Sequence, residues 1–126
     1  RVVYENENFL VFCPFVSKTE YEVRIFSKEG HAHFEKMPPE LFTDLGDVFS
    51  ATFKKIGKAL DKPDYNFFIH TSPIIYPSPK AHEFYSWHIE ILPKVASVGA
   101  FELASGMEIN VIDPDEAAKL FRETEI

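Results

Sequence analysis

The stretch Phe84-Tyr85-Ser86-Trp87-His88-Ile89-Glu90-Ile91-Leu92 constrains this chain more than any other. Side chains alternate across a strand, so Tyr85, Trp87, Ile89 and Ile91 share one face, and Ser86, His88 and Glu90 share the other. The first face is large and apolar and needs a second layer to cover it. The second presents a hydroxyl, an imidazole and a carboxylate in a row. Neighbours on such a face lie ~7 Å apart, close enough to bracket one small ligand or ion. The same row also reads as a face that meets solvent.

Other segments supply the missing layers. Val2-Tyr4 and Phe9-Phe12 are short β-type stretches around a Glu-Asn-Glu-Asn turn, and Tyr21-Phe26 alternates with Tyr21, Val23 and Ile25 on one face. From Pro39 to Leu60 the residues Leu41, Phe42, Leu45, Val48, Phe49, Phe53, Ile56 and Leu60 recur at steps of three and four, which builds the stripe of one long helix. Its Lys54, Lys55 and Lys58 come late, where cations complement the helix dipole. Tyr65-His70 reads as a strand, followed by a Pro-rich loop with Pro73, Pro77 and Pro79. Val98-Leu103 and Met107-Ile112 read as two more strands around a Ser105-Gly106 turn. Asp113-Pro114-Asp115-Glu116 opens a short last helix, with Asp113 as cap and Pro114 in the first turn. The order predicts an α+β domain: a mainly antiparallel sheet, one long helix on one face, and a short C-terminal helix.

Size and charge narrow the function classes. The 126 residues suit a single domain over 1–126 with one core. No apolar run approaches the ~20 residues that cross a bilayer, which excludes a membrane-spanning role. The formal net charge of -7 and the dispersed Lys and Arg residues argue against a nucleic-acid partner, which needs a basic patch. A single pocket can still hold a small anion. The lone Cys13 allows no internal disulfide and no Cys-based zinc cluster, and it reads as a buried small residue. No signal-like charged-then-apolar start is present, so the expected compartment is cytoplasmic. The first residue is Arg1, which suggests a piece of a longer polypeptide.

Of the five His residues, His88 carries the chemistry, with His70 as its candidate neighbour. If the two strands pair across the Pro-rich loop, these imidazoles meet on one face. Two imidazoles and a carboxylate form a common divalent-metal set. An imidazole can also act as a nucleophile toward phosphorus. His31 and His33 form a His-x-His that reads as a solvated loop, and His82 beside Lys80 reads the same way.

These residues resemble a known family. Ser86-Trp87-His88-Ile89-Glu90-Ile91-Leu92-Pro93 is similar to the His-Trp-His-Ile-Glu-Ile-(hydrophobic)-Pro stretch in the C-terminal half of galactose-1-phosphate uridylyltransferases, members of the histidine-triad superfamily. Tyr65-Asn66-Phe67 through His70-Thr71-Ser72-Pro73, Gly99-Ala100-Phe101-Glu102 through Asn110, and Asp113-Pro114-Asp115-Glu116-Ala117-Ala118 also resemble segments of that half. So does the run from Phe9 to Tyr21-Glu22. The likeness covers nearly the whole chain.

The resemblance implies the C-terminal half of a two-half nucleotidyltransferase that passes UMP between UDP-glucose and galactose 1-phosphate. The nucleophilic His-Pro-His-Pro-Gln motif belongs to the N-terminal half and is absent here. The implied partners are that N-terminal half, a second copy in a homodimer, and a nucleotide-sugar or sugar phosphate. The implied metal positions, for zinc or iron, are Glu5, His70, Ser86 and His88, with Ser86 standing where the family has His. A hydroxyl is a poor ligand for either metal, which leaves three groups. The implied hexose contacts, offered to the neighbouring subunit, are Phe101 and Glu102; a lysine found upstream in some members is Ala96 or another neutral residue here. His88 matches the nucleophilic position of the superfamily's triad, with Ser86 first and Glu90 third. A carboxylate at the third position repels phosphate, so His88 is not expected to serve as a nucleophile. A related nucleotide phosphorylase or adenylyltransferase, or a non-catalytic metal-binding module, would share the same residues.

Overall fold

The computed structural model describes residues 1–73, 85–95 and 99–126. Five strands form one sheet: β1 (Val2–Glu5), β2 (Phe9–Phe12), β3 (Val23–Ser27), β4 (Asp64–His70) and β5 (His88–Lys94). Their order is β1-β2-β3-β5-β4, and every neighbouring pair is antiparallel. A 3₁₀ turn at Pro39–Leu41 leads into α1 (Phe42–Ala59); α2 (Ala100–Ser105) and α3 (Pro114–Glu123) follow β5. The α+β architecture expected from the sequence is the one present. Among the described residues, no helix is long and apolar enough to cross a membrane.

One face of the sheet holds the core. Phe9, Val11, Val23, Ile25, Trp87, Ile89 and Ile91 are buried there with Val48 and Ile56 of α1 and Ala117, Ala118 and Phe121 of α3. Trp87 lies edge-on to Phe34 at 5.0 Å and tilted against Phe9 at 6.2 Å. The alternation read from Tyr85 to Leu92 holds, but the ladder starts only at His88, because the Trp87 N–H donates to the carbonyl of His31 (2.8 Å). The strand also runs through Pro93 to Lys94. Pro93 pairs with Tyr65 of β4 and lies beyond the last β3–β5 pair, Val23 with Ile91. The missing N–H therefore sits where only one neighbouring strand remains.

Two expected strands are corrected. Ala100–Ser105 is a helix, closed by Gly106 at φ +70° with its N–H on the carbonyl of Glu102 (2.9 Å), and Met107–Val111 has no regular structure. The apolar alternation there has no sheet to lie on. Phe101, Leu103, Met107 and Val111 are 55%, 76%, 61% and 74% exposed, so backbone preference decides, and Ala, Glu and Leu favour helix. Phe84, the loop residues Pro77, Pro79, Lys80 and His82, and Ala96 and Val98 lie outside the described residues.

The helix termini are tied to the rest of the fold. Asp113 caps α3, accepting from the N–H of Asp115 (2.8 Å). Lys55 of α1 does not serve its own helix end: its Nζ donates to the carbonyls of Phe121 (3.1 Å) and Thr124 (2.7 Å), closing the C-terminus of α3. Lys58 donates to the carbonyl of Glu125 (2.6 Å). Removing the buried Lys55 charge by Lys55→Met leaves those carbonyls unpaired and should lower stability by about 1–3 kcal/mol, read as a shifted urea midpoint.

Cys13 is buried in the core, and loss of hydration, with Glu22 adding repulsion against the easing effect of the chain's amino terminus, pushes its thiol up to about 12. The folded state thus favours the neutral thiol. That contribution is fully present below the ordinary thiol range and is lost as pH rises from there toward about 12. Stability against urea should fall over that window, and Cys13→Ala should remove that part of the fall. A thiol reagent at pH 8 should label Cys13 only on unfolding; rapid labelling of the native chain would contradict the buried assignment.

Candidate metal centre

The sheet face turned away from α1 carries the polar row. Register builds it: His70 of β4 pairs directly with His88 of β5, and His88 pairs with Phe26 of β3. Glu90 lies two residues along β5 on the same face, opposite Arg24 of β3. The His88 ring is held between two flat neighbours, Phe26 at 4.6 Å and 6°, and His70 at 4.8 Å and 24°. Phe12 stacks on Phe26 at 5.5 Å and Phe68 meets His70 edge-on at 5.0 Å, so the imidazoles belong to an aromatic row that fixes their planes.

Three side chains converge on one atom, Glu90 Oε1. His88 Nε2 lies 3.2 Å from it, His70 Nε2 3.3 Å, and Arg24 Nη2 3.5 Å. The Glu90 carboxylate is only 9% exposed, and His88 and His70 are 15% and 43% exposed. His88 Nδ1 lies 3.2 Å from the carbonyl oxygen of Ser86. A carbonyl can only accept, so Nδ1 carries the proton in that contact. The Nε2 of a neutral ring then points a lone pair at a carboxylate oxygen. Either a proton, on the ring or on the carboxyl group, or a metal ion then fills the space between the two atoms.

The residues fit a divalent ion. The ligand atoms of His70, His88 and Glu90 all lie within 4.8 Å of one another. Around a tetrahedral zinc with ligands near 2.1 Å, ligand atoms stand about 3.4 Å apart, close to both imidazole–carboxylate separations. Three protein ligands leave a fourth position open. The carbonyl of Ser86 orients the His88 ring, as outer-shell partners of metal ligands do.

The other site residues named from sequence fall as follows. Glu5 lies in the same cross-strand row, through Leu10 and Phe26 to His88, but at its far end; it is ion-paired with Lys28 at 2.7 Å. Ser86 Oγ faces Gly30, where a methyl group would sit 3.0 Å away. Phe101 and Glu102 lie on α2, and Glu102 lines a cavity of about 470 Å3 with Lys18, Asn66, Lys94 and Met107. His31 lies 3.9 Å from Glu29, and His33 lies 3.4 Å from Glu35. The Glu35 carboxyl is held below the usual range by a backbone hydrogen bond, with Thr71 and His33 assisting. The ligand set implied by resemblance omits Glu90, and Arg24 was not singled out. The period-2 alternation gave Glu90 its face, but only the β3–β5 register brings Arg24 to it.

No family model matches the chain. Over 99% of its length it is 33% identical to the ADP-glucose phosphorylase of Arabidopsis thaliana, and over its whole length 28% identical to the galactose-1-phosphate uridylyltransferase of Thermotoga maritima. It spans 35% and 41% of those two relatives. The crystal structure of the Arabidopsis phosphorylase with bound ADP-glucose superposes with a TM-score of 0.93, covering 99% of this chain and 40% of that one. A zinc-bound histidine triad family protein from Mycobacterium smegmatis, 19% identical, shares the fold with a TM-score of 0.65, covering 96% of this chain and 80% of its own. Fold and polar row together define a histidine-triad-like domain. Uridylyltransferase and phosphorylase relatives both match the chain along nearly its whole length, each over less than half of the relative.

The centre makes a direct prediction. Zinc or cobalt(II) titrated into the purified chain should bind at one equivalent, and His88→Ala or Glu90→Gln should weaken binding by about 10–100-fold or more. Unchanged affinity in both variants would place the metal elsewhere.

Proposed function

We propose that the chain is the C-terminal half of a cytoplasmic two-half nucleotidyltransferase that acts on a nucleoside diphosphate sugar. In this reading it supplies scaffold, partner contacts and part of the sugar site, and the nucleophilic imidazole belongs to the other half. The observation that carries it is the pairing of a histidine-triad-like sheet with Glu90 at the third triad position, where a carboxylate opposes phosphate and favours a cation. A zinc or iron ion would be held by His70, His88 and Glu90 and would lock β4 to β5. When bound, such an ion supplies charge and rigidity to this face.

Two exposed apolar regions support the partner assignments. Strand β4 is a sheet edge, and Tyr65, Phe67, Phe68 and Ile69 are 48%, 47%, 39% and 39% exposed along it. Phe67 and Tyr65 continue an aromatic cluster with Phe49 and Phe53 of α1. An edge so long and apolar calls for a cover, and the N-terminal half is the occupant in this reading. The exposed Phe101, Leu103, Met107 and Val111 suit the neighbouring subunit of a homodimer, with Glu102 reaching a hexose hydroxyl.

The reaction expected from the uridylyltransferase relatives is UMP transfer between UDP-glucose and galactose 1-phosphate. A second reading, phosphorolysis of ADP-glucose, is favoured by the higher identity to the plant phosphorylase, 33% against 28%. Both pass a nucleotidyl group from a nucleotide sugar; they differ in base and in acceptor. The parent polypeptide should be incubated with UDP-glucose or ADP-glucose, with galactose 1-phosphate or inorganic phosphate as acceptor. Turnover of one pair assigns the reaction. Residues 1–126 alone should show none, and nucleotidylation of His88 in that isolated chain would overturn the proposal.

A further inference from the structure

We infer that Arg24 sets the cation affinity of the His70–His88–Glu90 cluster, by holding the carboxylate oxygen that a divalent ion would share with the two imidazoles. The inference rests on the metal-binding reading above. Arg24 pairs with Glu90 across β3 and β5, so its position is fixed by backbone register. Its Nη2 lies 3.5 Å from Glu90 Oε1, the same atom that His70 and His88 approach.

The guanidinium is not free to leave. Its Nε and Nη2 both donate to Oε1 of Glu22, at 3.0 and 2.9 Å. The Glu22 side chain is fully buried, and its other oxygen accepts from the N–H of Lys18 at 2.7 Å. Arg24 is therefore clamped with its positive edge turned toward the cluster. Two effects on a bound metal oppose each other. A group that orients a ligand carboxylate raises metal affinity, and a fixed cation beside the metal lowers it. The 3.5 Å contact is too long for a good hydrogen bond, so orientation is the weaker effect. The charge is only partly screened beside a nearly buried carboxylate, so repulsion and competition for Oε1 win.

The test is a competition titration of zinc against a chromophoric chelator, with cobalt(II) absorption reporting ligand geometry. Arg24→Gln removes a fixed positive charge beside the site and should bind zinc about tenfold more tightly than the wild-type chain. Because that variant strands the buried Glu22 carboxylate, the double variant Glu22→Gln with Arg24→Gln removes both charges together and should keep a smaller gain, since Arg24 is the charge that touches Glu90. Arg24→Lys keeps the charge but loses the two-nitrogen grip on Glu22, and should gain less affinity than Arg24→Gln. If wild type binds zinc and both neutral variants bind it no more tightly, the role assigned to Arg24 is wrong while the metal reading stands. If neither wild type nor the neutral variants bind zinc or cobalt, both fail. Binding that appears only in the neutral variants supports the inference, with Arg24 excluding the ion.

Discussion

The alternation of β5 is the constraint on which the rest of the structure depends. β5 pairs with β3 on one side and β4 on the other, and Ile89 and Ile91 are buried against the helical layer. A slip of one residue would turn Glu90 and His88 into the core and the isoleucines out. Burying an unpaired carboxylate costs several kcal/mol, and exposing two isoleucines costs about 2 kcal/mol each. Hydrophobic burial and charge solvation therefore select the same register. Once it is set, His70 must face His88 and Arg24 must face Glu90. The chemistry of the outer face is a by-product of packing on the inner one.

Much of this was legible in the sequence because it is local and periodic. The strands at Val2–Glu5, Phe9–Phe12, Val23–Ser27 and Asp64–His70, the stripe of α1 and the Asp113 cap of α3 follow from patterns a few residues long. The meeting of His70 with His88 followed from one further step, antiparallel pairing. The error at Ala100–Ser105 and Met107–Val111 has a physical source. Periodicity reports the spacing of apolar side chains, but not whether anything covers them. Residues 55% to 76% exposed within this chain read like core strands because their apolar surface has no partner inside the described residues. Arg24 was missed for a different reason: its role depends on a contact between strands 66 residues apart in sequence.

Arg24, Glu22 and Glu90 also explain how an acidic chain keeps carboxylates under its surface. Glu22 is fully buried but meets a guanidinium fork and a backbone N–H, which is the arrangement that makes a buried charge tolerable. Two carboxylates, Glu22 and Glu90, face one guanidinium, so one negative charge in the group is left over. With neutral rings at His70 and His88 the group carries a net charge of -1. The imidazole nitrogens supply no charge of their own unless protonated. A cation at Glu90 Oε1 therefore answers an electrostatic deficit present in the fold.

That deficit makes the outer sheet face a poor place for a phosphate oxygen. A triad that carries a nucleotidyl group needs donors aimed at phosphate oxygens. Here the position nearest His88 is filled by Glu90, whose oxygen repels such oxygens and attracts metal or proton. One carboxylate thus gives this sheet face a preference for a cation over a phosphate. The aromatic row adds to this: Phe26 and His70 lie flat against both sides of the His88 ring and restrict its rotation. Stacking that would hinder a nucleophile suits a ligand, because a rigid ring loses less entropy when it binds an ion.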